Sequence, residues 1–272
     1  MISYILFTCV ILEFLKSIYM NKIEIKALDN FPIINPGDDI SEIIINCIYE
    51  NNITIHNNDV FVIAQKIISK AENRYIDLDE VIVTDEAIEL ANKLNKDKGL
   101  IQTILNESNK IISIEKKVVI VEHKLGFVNI NAGIDQSNIP NDKNLALLLP
   151  EDPSKSANDI QLNISKILNK DVSVIITDSM TRPYRAGVVN FALASSNLQS
   201  LIDLKGEPDI YGRKMKGTEI ASADELASCA GLLMGQSNEL KPVILIKGYK
   251  NNTRKSIDAY NLIIEEKDDL YR

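Results

Sequence analysis

Two aspartates stand at the far ends of apolar runs: Asp135 just past GFVNINAG (126–133), and Asp178 closing VSVIITD (172–178). Small oxygen donors surround them, Asn138 within NINAGIDQSNIP (129–140) and Ser179 directly after Asp178. Carboxylates beside amide and hydroxyl oxygens are the hard ligands that suit Mg²⁺ or Mn²⁺, and magnesium is usually held by one or two carboxylates together with substrate phosphates. The same residue types also build turns, because Asn, Asp and Ser hydrogen-bond their own backbone and Gly tolerates tight conformations. Singly, each acid reads first as a turn or cap residue; on two strand ends together, the two readings balance. TDSMTRPYRAG (177–187) adds Arg182 and Arg185, whose planar forks grip phosphate or carboxylate, and YGRKMKG (211–217) adds Arg213, Lys214 and Lys216. A solvated basic loop is the plain alternative. No P-loop of the form GxxxxGK[ST] and no convincing GxGxxG occurs, so no short motif specifies a nucleotide. The residue types by themselves lead as far as metal-assisted chemistry on an anionic substrate.

Composition narrows the classes. A chain of 272 residues with 45% hydrophobic content has ample material for a buried core. The net charge of −8 provides no basic field for nucleic acid or an anionic membrane, so an anionic ligand needs a local basic pocket. Cys9, Cys47 and Cys229 lack CxxC spacing and are odd in number, which argues against a disulfide framework or a zinc site and fits a reducing, cytoplasmic setting. His56 and His123 have no obvious ligand neighbours and read as structural or surface residues. The opening MISYILFTCVILEFLKSIYM lacks the positive start and cleavage site of a secretory signal, and Glu13 and Lys16 break its apolar run. Residues 1–19 therefore read as a misassigned or dispensable extension before a start at Met20, with a weak membrane anchor as the lesser alternative.

The elements that must position the acids are mixed. NKIEIKALDN (21–30) alternates as a strand, PGDD (36–39) supplies a turn and helix-start acids, and Ile40, Ile43, Ile44, Cys47 and Ile48 recur at helical spacing. DVFVIAQKIISKAE (59–72) opens as a buried strand and runs into a basic segment with Lys66, Lys70 and Arg74. Residues 85–95 and 98–113 read as helices, 116–133 as two strands turning near Lys124 to Gly126, and 144–150 as a short strand. A helix follows, marked by Ala157, Ile160, Ile164, Ile167 and Leu168, then the strand 172–178. From Ser179 to Gly217 the pattern is irregular, a strand at 188–196 excepted; a helix over 219–235 and a strand over 242–249 close the core. The fold class is α+β: one intertwined mixed unit with room for two lobes.

As a set, these segments resemble the coenzyme F420:L-glutamate ligases, which add γ-linked glutamates to coenzyme F420-0. The resemblance is carried by FPIINPGDD (31–39), DVFVIAQKIISKAENR (59–74), GFVNINAGIDQSNIP (126–140), LLLPEDPSKSA (147–157), VIITDSMTRPYRAG (174–187), DIYGRKM (209–215), ADELASCAGLLMGQ (223–236) and PVILIKGY (242–249). NAGIDQSN is the most distinctive of them, and the order and spacing of the set make the match specific. The resemblance implies one ligase domain over 20–272 of the F420-0:gamma-glutamyl ligase type. It implies two divalent ions, Mg²⁺ or Mn²⁺, held by Asp135, Asp178, Ser179 and Gln236, with K⁺ as a further ion. It implies GTP contacts from Phe31, Pro32, Ile33 and Ile34, from Gln65, Lys66 and Lys70, from Asn138, and from Met234, Gly235, Gln236 and Ser237. Arg182 and Arg185 are the expected catalytic cations, F420-0 and L-glutamate the substrates, an acyl phosphate the intermediate and a homodimer the assembly.

Three positions depart from the family's usual pattern. Ser179 stands for Thr and keeps the hydroxyl. Thr181 stands for Gly and is expected to restrict a loop. Gln236 stands where some relatives have Glu and offers a neutral oxygen. Two rival functions share the residues: a metal-dependent phosphohydrolase, and a non-catalytic nucleotide- or deazaflavin-binding module.

Overall fold

The computed structural model describes residues 22–140 and 143–270, so the expectations about residues 1–19 lie outside the described residues. Its frame is a five-stranded sheet of β1 (Glu24–Ala27), β2 (Val60–Ala64), β8 (Ser173–Arg182), β9 (Arg185–Ser196) and β12 (Val243–Lys247), in the order β1-β12-β2-β8-β9. One pair in it is parallel, β2 with β8; the other neighbours are antiparallel. Side chains alternate across a pleated strand, and both faces here are apolar. Phe61 and Ile63 of β2 join Val174, Ile176, Val243 and Leu245 on one face, under α1 (Ile40–Glu50), α2 (Gln65–Ala71) and α5 (Pro153–Leu168). Val60, Val62, Ile175, Ile244 and Ile246 face the opposite way, against Ala223, Leu226, Ala227 and Ala230 of α6 (Ser222–Met234). Double coverage explains why β2 reads as an unbroken apolar run.

A second cluster is built from α3 (Asp85–Leu94), α4 (Lys98–Asn106) and the sheet β4 (Ser108–Glu115), β5 (Val118–His123) and β6 (Val128–Ile130), with Leu90, Leu94, Ile101, Ile104, Val119 and Val121 at its centre. Two short pairs complete the sheets: β3 (Tyr75–Asp77) with β7 (Leu145–Leu147), and β10 (Leu201–Asp203) with β11 (Glu219–Ala221). Helix starts follow capping chemistry: Asp39, Thr84, Asp97 and Asp152 each accept from the backbone N–H three residues on, and Pro153 opens α5. The fold is α+β, and no helix among the described residues is long and apolar enough to cross a membrane.

Several elements differ from the sequence reading. The helix expected over 98–113 stops at Asn106, because residues 108–115 pair with β5 across a Lys116–Lys117 turn whose backbones are both left-handed, at φ 46° and 67°. The basic segment after β2 is the helix α2. The helix expected over 219–235 begins at Ser222, its first three residues belonging to β11. The first part of the stretch expected to be irregular belongs to a hairpin: β8 continues through Asp178 to Arg182 and returns as β9 over a Pro183–Tyr184 turn. Thr181 is therefore a strand residue paired with Val188, where a β-branched side chain suits the backbone rather than restricting a loop. His123 is a core residue, as expected: it stacks on Phe127 with ring centroids 5.1 Å apart.

Candidate active site

Because β2 and β8 run parallel in register, Ala64 lies beside Thr177, and the next residues, Gln65 and Asp178, are brought side by side at the sheet's carboxyl edge. In open α/β sheets that edge, where the strand ends diverge, is the usual ligand position. Gln65 is buried; its Oε1 accepts from Ser69 Oγ at 2.8 Å, and its amide donates to the Asp178 carboxylate. The Ser179 backbone N–H donates to the same carboxylate.

Asp135 arrives from the second cluster. Its backbone exchanges two hydrogen bonds with Leu147, at 3.0 and 2.8 Å, which pins the loop. Gly133 makes the approach, at φ 66° with a would-be Cβ only 3.1 Å from Leu149. Beyond it, the Ser137 N–H donates to Asp135 Oδ1 at 2.6 Å and Lys66 Nζ sits 2.6 Å from Oδ2. Lys66 also donates to the Ser137 carbonyl and hydroxyl, at 3.3 and 3.2 Å, and Lys70 Nζ donates to the Asn138 carbonyl at 2.7 Å. Thus α2, springing straight from β2, supplies both lysines one turn apart.

The electrostatics of the two acids differ. Burial pushes the Asp178 carboxyl up to about 6, and the charge of Asp135 adds to this against the opposing hydrogen bonds from Ser179 and Gln65. Burial acts on Asp135 in the same direction, yet the hydrogen bonds from Lys66 and Ser137 hold it below the usual carboxylate range. Burial and the neighbouring Lys66 charge lower the Lys70 ammonium, partly offset by Asp135. Two acids close enough to repel, one of them balanced by a lysine, form a site that a further cation stabilises.

The third wall is the end of α6. Gly235, at φ 72°, turns the chain so that Gln236 follows the helix directly, and Gln236 Nε2 donates to Asn190 Oδ1 at 2.8 Å. Asn190 faces Ser179 across the β8–β9 pair, so both ligand candidates meet there. Asn138 Nδ2 donates to the Ser237 carbonyl at 2.9 Å, closing the ring between the Asp135 loop and the α6 end. The Lys66 ion pair and the hydrogen bonds thus tie Asp135, Lys66, Lys70, Asn138 and Ser237 together, Asp178 lies near enough to feel the Asp135 charge, and Met234 and Gln236, with Gly235 between them, both meet Asn190, the cross-strand partner of Ser179. The described residues contain no group of three or more His, Cys, Asp or Glu poised around one ion. Two carboxylates with hydroxyl and amide oxygens are the set a magnesium-type ion takes when substrate phosphates complete its shell, so the residues fit such an ion.

Other expected residues lie differently. The loop 31–38 meets the end of α2, where the Gly37 N–H donates to the Ala71 carbonyl at 2.8 Å. Within it, Phe31 and Ile34 are buried in the main core, which leaves Pro32, Ile33 and the backbone available to a ligand. Gln65 supports Asp178 from beneath. Arg182 and Arg185 flank the hairpin turn, roughly 13 Å beyond Asp178 at strand rise; Arg182 Nη1 donates to the Gly187 carbonyl at 3.3 Å, so neither joins the carboxylates. Arg213 and Lys214 are exposed on the loop between β10 and β11, a turn organised by Asp209, whose Oδ1 accepts from the N–H groups of Tyr211 and Arg213 at 2.8 and 2.9 Å. The sequence reading missed Asn190, and it met Ser137 only as part of the polar run NINAGIDQSNIP (129–140), with no role of its own. An amide inside the apolar run VVNFALASS was the available signal for Asn190.

Comparison with known proteins shows the family. The F420-0:Gamma-glutamyl ligase family matches residues 29–248. The chain is 40% identical over 227 residues to the coenzyme F420:L-glutamate ligase of Methanothermobacter thermautotrophicus, spanning 84% of this chain and 89% of that protein. Against the protein of that description from Methanocaldococcus jannaschii, identity is 41% over 253 residues, spanning 92% and 97%. For Archaeoglobus fulgidus it is 35% over 227 residues, spanning 84% and 88%. The matched region includes both carboxylates, both lysines and the helix that ends beside Gln236, and the chain belongs to the F420-0:gamma-glutamyl ligase family.

Proposed function

We propose that the chain is a cytoplasmic, homodimeric ligase that joins L-glutamate to coenzyme F420-0 through a γ-linkage, using GTP and forming GDP and phosphate. The observation that carries this reading is the convergence of Asp135 and Asp178 with Lys66 and Lys70 in one cleft, in a chain of this family. A carboxylate and an ammonium ion do not condense readily to an amide, so the acceptor carboxylate must first be activated. Its oxygen attacks the γ-phosphorus of GTP, the bond to the β,γ-bridging oxygen breaks, and GDP leaves. The glutamate amine then attacks the acyl carbon, and phosphate departs with the activated oxygen.

Asp135, Asp178, Ser179 and Gln236 would hold two Mg²⁺ or Mn²⁺ ions, with K⁺ as a further ion; the divalent ions supply charge neutralisation on the transferring phosphoryl oxygens. Lys66 and Lys70 add positive charge from α2, and the pinned Asp135 loop holds donor and acceptor in line. Pro32, Ile33 and the backbone of the loop at 31–34 border the nucleotide. Arg182 and Arg185, at the hairpin tip, suit a distal anionic group of the acceptor better than the transferring phosphoryl group.

The test is a reaction of purified protein with GTP, Mn²⁺, F420-0 and L-glutamate. The expected result is a product heavier by one or more glutamyl units, detected by mass spectrometry, with GDP formed in proportion and ATP a poorer donor. GTP hydrolysis that continues undiminished without glutamate, with no heavier product in its presence, would mark a phosphohydrolase. Ligand binding with no phosphate release would mark a binding module.

A further inference from the structure

We propose that Asn190 is a positioning residue that fixes the amide of Gln236 with its oxygen turned into the cleft. The inference rests on the reading of Gln236 as a metal ligand. Asn190 is buried at 4% exposure in β9, at the interface with α6, a setting where an unsatisfied amide is costly and an aliphatic residue packs well. Its polar atoms are nevertheless placed. Asn190 Nδ2 points to Met234 Sδ at 3.4 Å, and Asn190 Oδ1 accepts from Gln236 Nε2 at 2.8 Å.

The thioether settles the orientation. A sulfur of this kind only accepts, so it takes the Nδ2 side of Asn190 and leaves Oδ1 for Gln236. Gln236 can meet that oxygen only with its NH₂, and its own Oε1 is left for the cleft. A neutral ligand that could present either end of its amide is thereby held to the coordinating end. The fold also makes room for the arrangement. A Cβ on Gly231 would lie 3.0 Å from Asn190 Cγ and Oδ1, and Ser228 Oγ donates to the Asn190 carbonyl at 2.8 Å, fixing the backbone on which the side chain stands. Such supporting partners typically change metal affinity by 10- to 100-fold when removed.

The experiment is a titration of the full chain with Mn²⁺ alone, following free Mn²⁺ by electron paramagnetic resonance. Gln236→Ala is expected to weaken binding about tenfold, Asn190→Ala by a similar factor, and the double variant no more than Gln236→Ala, because both remove one ligand. Ser222→Ala loosens the opposite end of α6, where the Ser222 hydroxyl donates to the Gln199 carbonyl, and is expected to bind as the parent does. Weakened binding in Gln236→Ala with parental binding in Asn190→Ala overturns the positioning role and leaves the ligand assignment standing. Parental binding in Gln236→Ala overturns both, whereas a double variant that falls by the product of the two single effects overturns the positioning role alone. Should Asn190→Ala not fold, Asn190→Asp decides: it keeps an acceptor for Gln236 Nε2 and is expected to bind at least as tightly as the parent, and weaker binding overturns the inference.

Discussion

Asp135 and Asp178 carry opposite perturbations although they share one cleft. Lys66 and the Ser137 N–H keep Asp135 ionised, while burial and its neighbour's charge push Asp178 up to about 6. A neutral amide of the same shape replaces neither as a ligand. Asp135→Asn and Asp178→Asn are each expected to lower turnover by roughly a thousandfold or more with native circular dichroism retained. The metal-free Asp178→Asn protein should melt higher than the parent, since the substitution removes a buried charge facing a like charge. Near-normal turnover in both variants would reduce the acids to turn and strand residues. The residue types were legible in the sequence, and so was the pairing of Asp135 with Asp178 as candidates. The support beneath them was not: Gln65 reaches Asp178 only because β2 and β8 are parallel neighbours, a long-range register that no local pattern records.

Elements were legible where one period governed. β2, β12, α1 and α5 read correctly because their apolar spacing is set by a single covered face or by two. The reading slipped where a short element follows another without punctuation. The seven residues of α2 begin directly after the last residue of β2, and β4 begins two residues after α4 with no Gly or Pro between. The hairpin turn at Pro183–Tyr184 fell within the stretch read as irregular, although it joins two long strands. In the β5–β6 region, His123 makes a pH-dependent contribution. Its Nδ1 accepts from the Leu125 N–H at 2.9 Å, Nε2 has no hydrogen-bond partner among the described residues and lies 3.8 Å from a Glu107 carboxylate oxygen, and burial lowers the imidazole from its ordinary 6.5 to about 4, with Lys124 and Arg74 adding to the shift. The folded state thus binds the proton less well than the unfolded chain. Stability is full above about pH 6.5 and falls as the pH drops toward 4, by an amount on the order of 3 kcal/mol. His123→Phe, which keeps the stack on Phe127, should flatten that dependence in urea unfolding between pH 7 and 4. An unchanged slope would show that other groups govern acid sensitivity.

At the scale of the whole molecule, the cleft exists because separate cores meet. The two-faced sheet supplies β2, β8 and α6, and the smaller cluster delivers the Asp135 loop, tied across by Lys66, Lys70 and Asn138. The sequence showed the α+β class and the words of the family, but not that Met234 to Ser237 would close the ring against Asn138 from the far end of the chain. In the proposed reaction the site activates a carboxylate by phosphorylation before the amine attacks. Transfer of oxygen tests that directly: F420-0 labelled with ¹⁸O in its acceptor carboxylate is turned over with unlabelled GTP, Mn²⁺ and L-glutamate, and the released phosphate is analysed by mass spectrometry. One ¹⁸O is expected in phosphate for each first glutamyl unit added, carried by the labelled oxygen that attacks phosphorus; formation of the mono-glutamylated product with only unlabelled phosphate would contradict activation by phosphorylation.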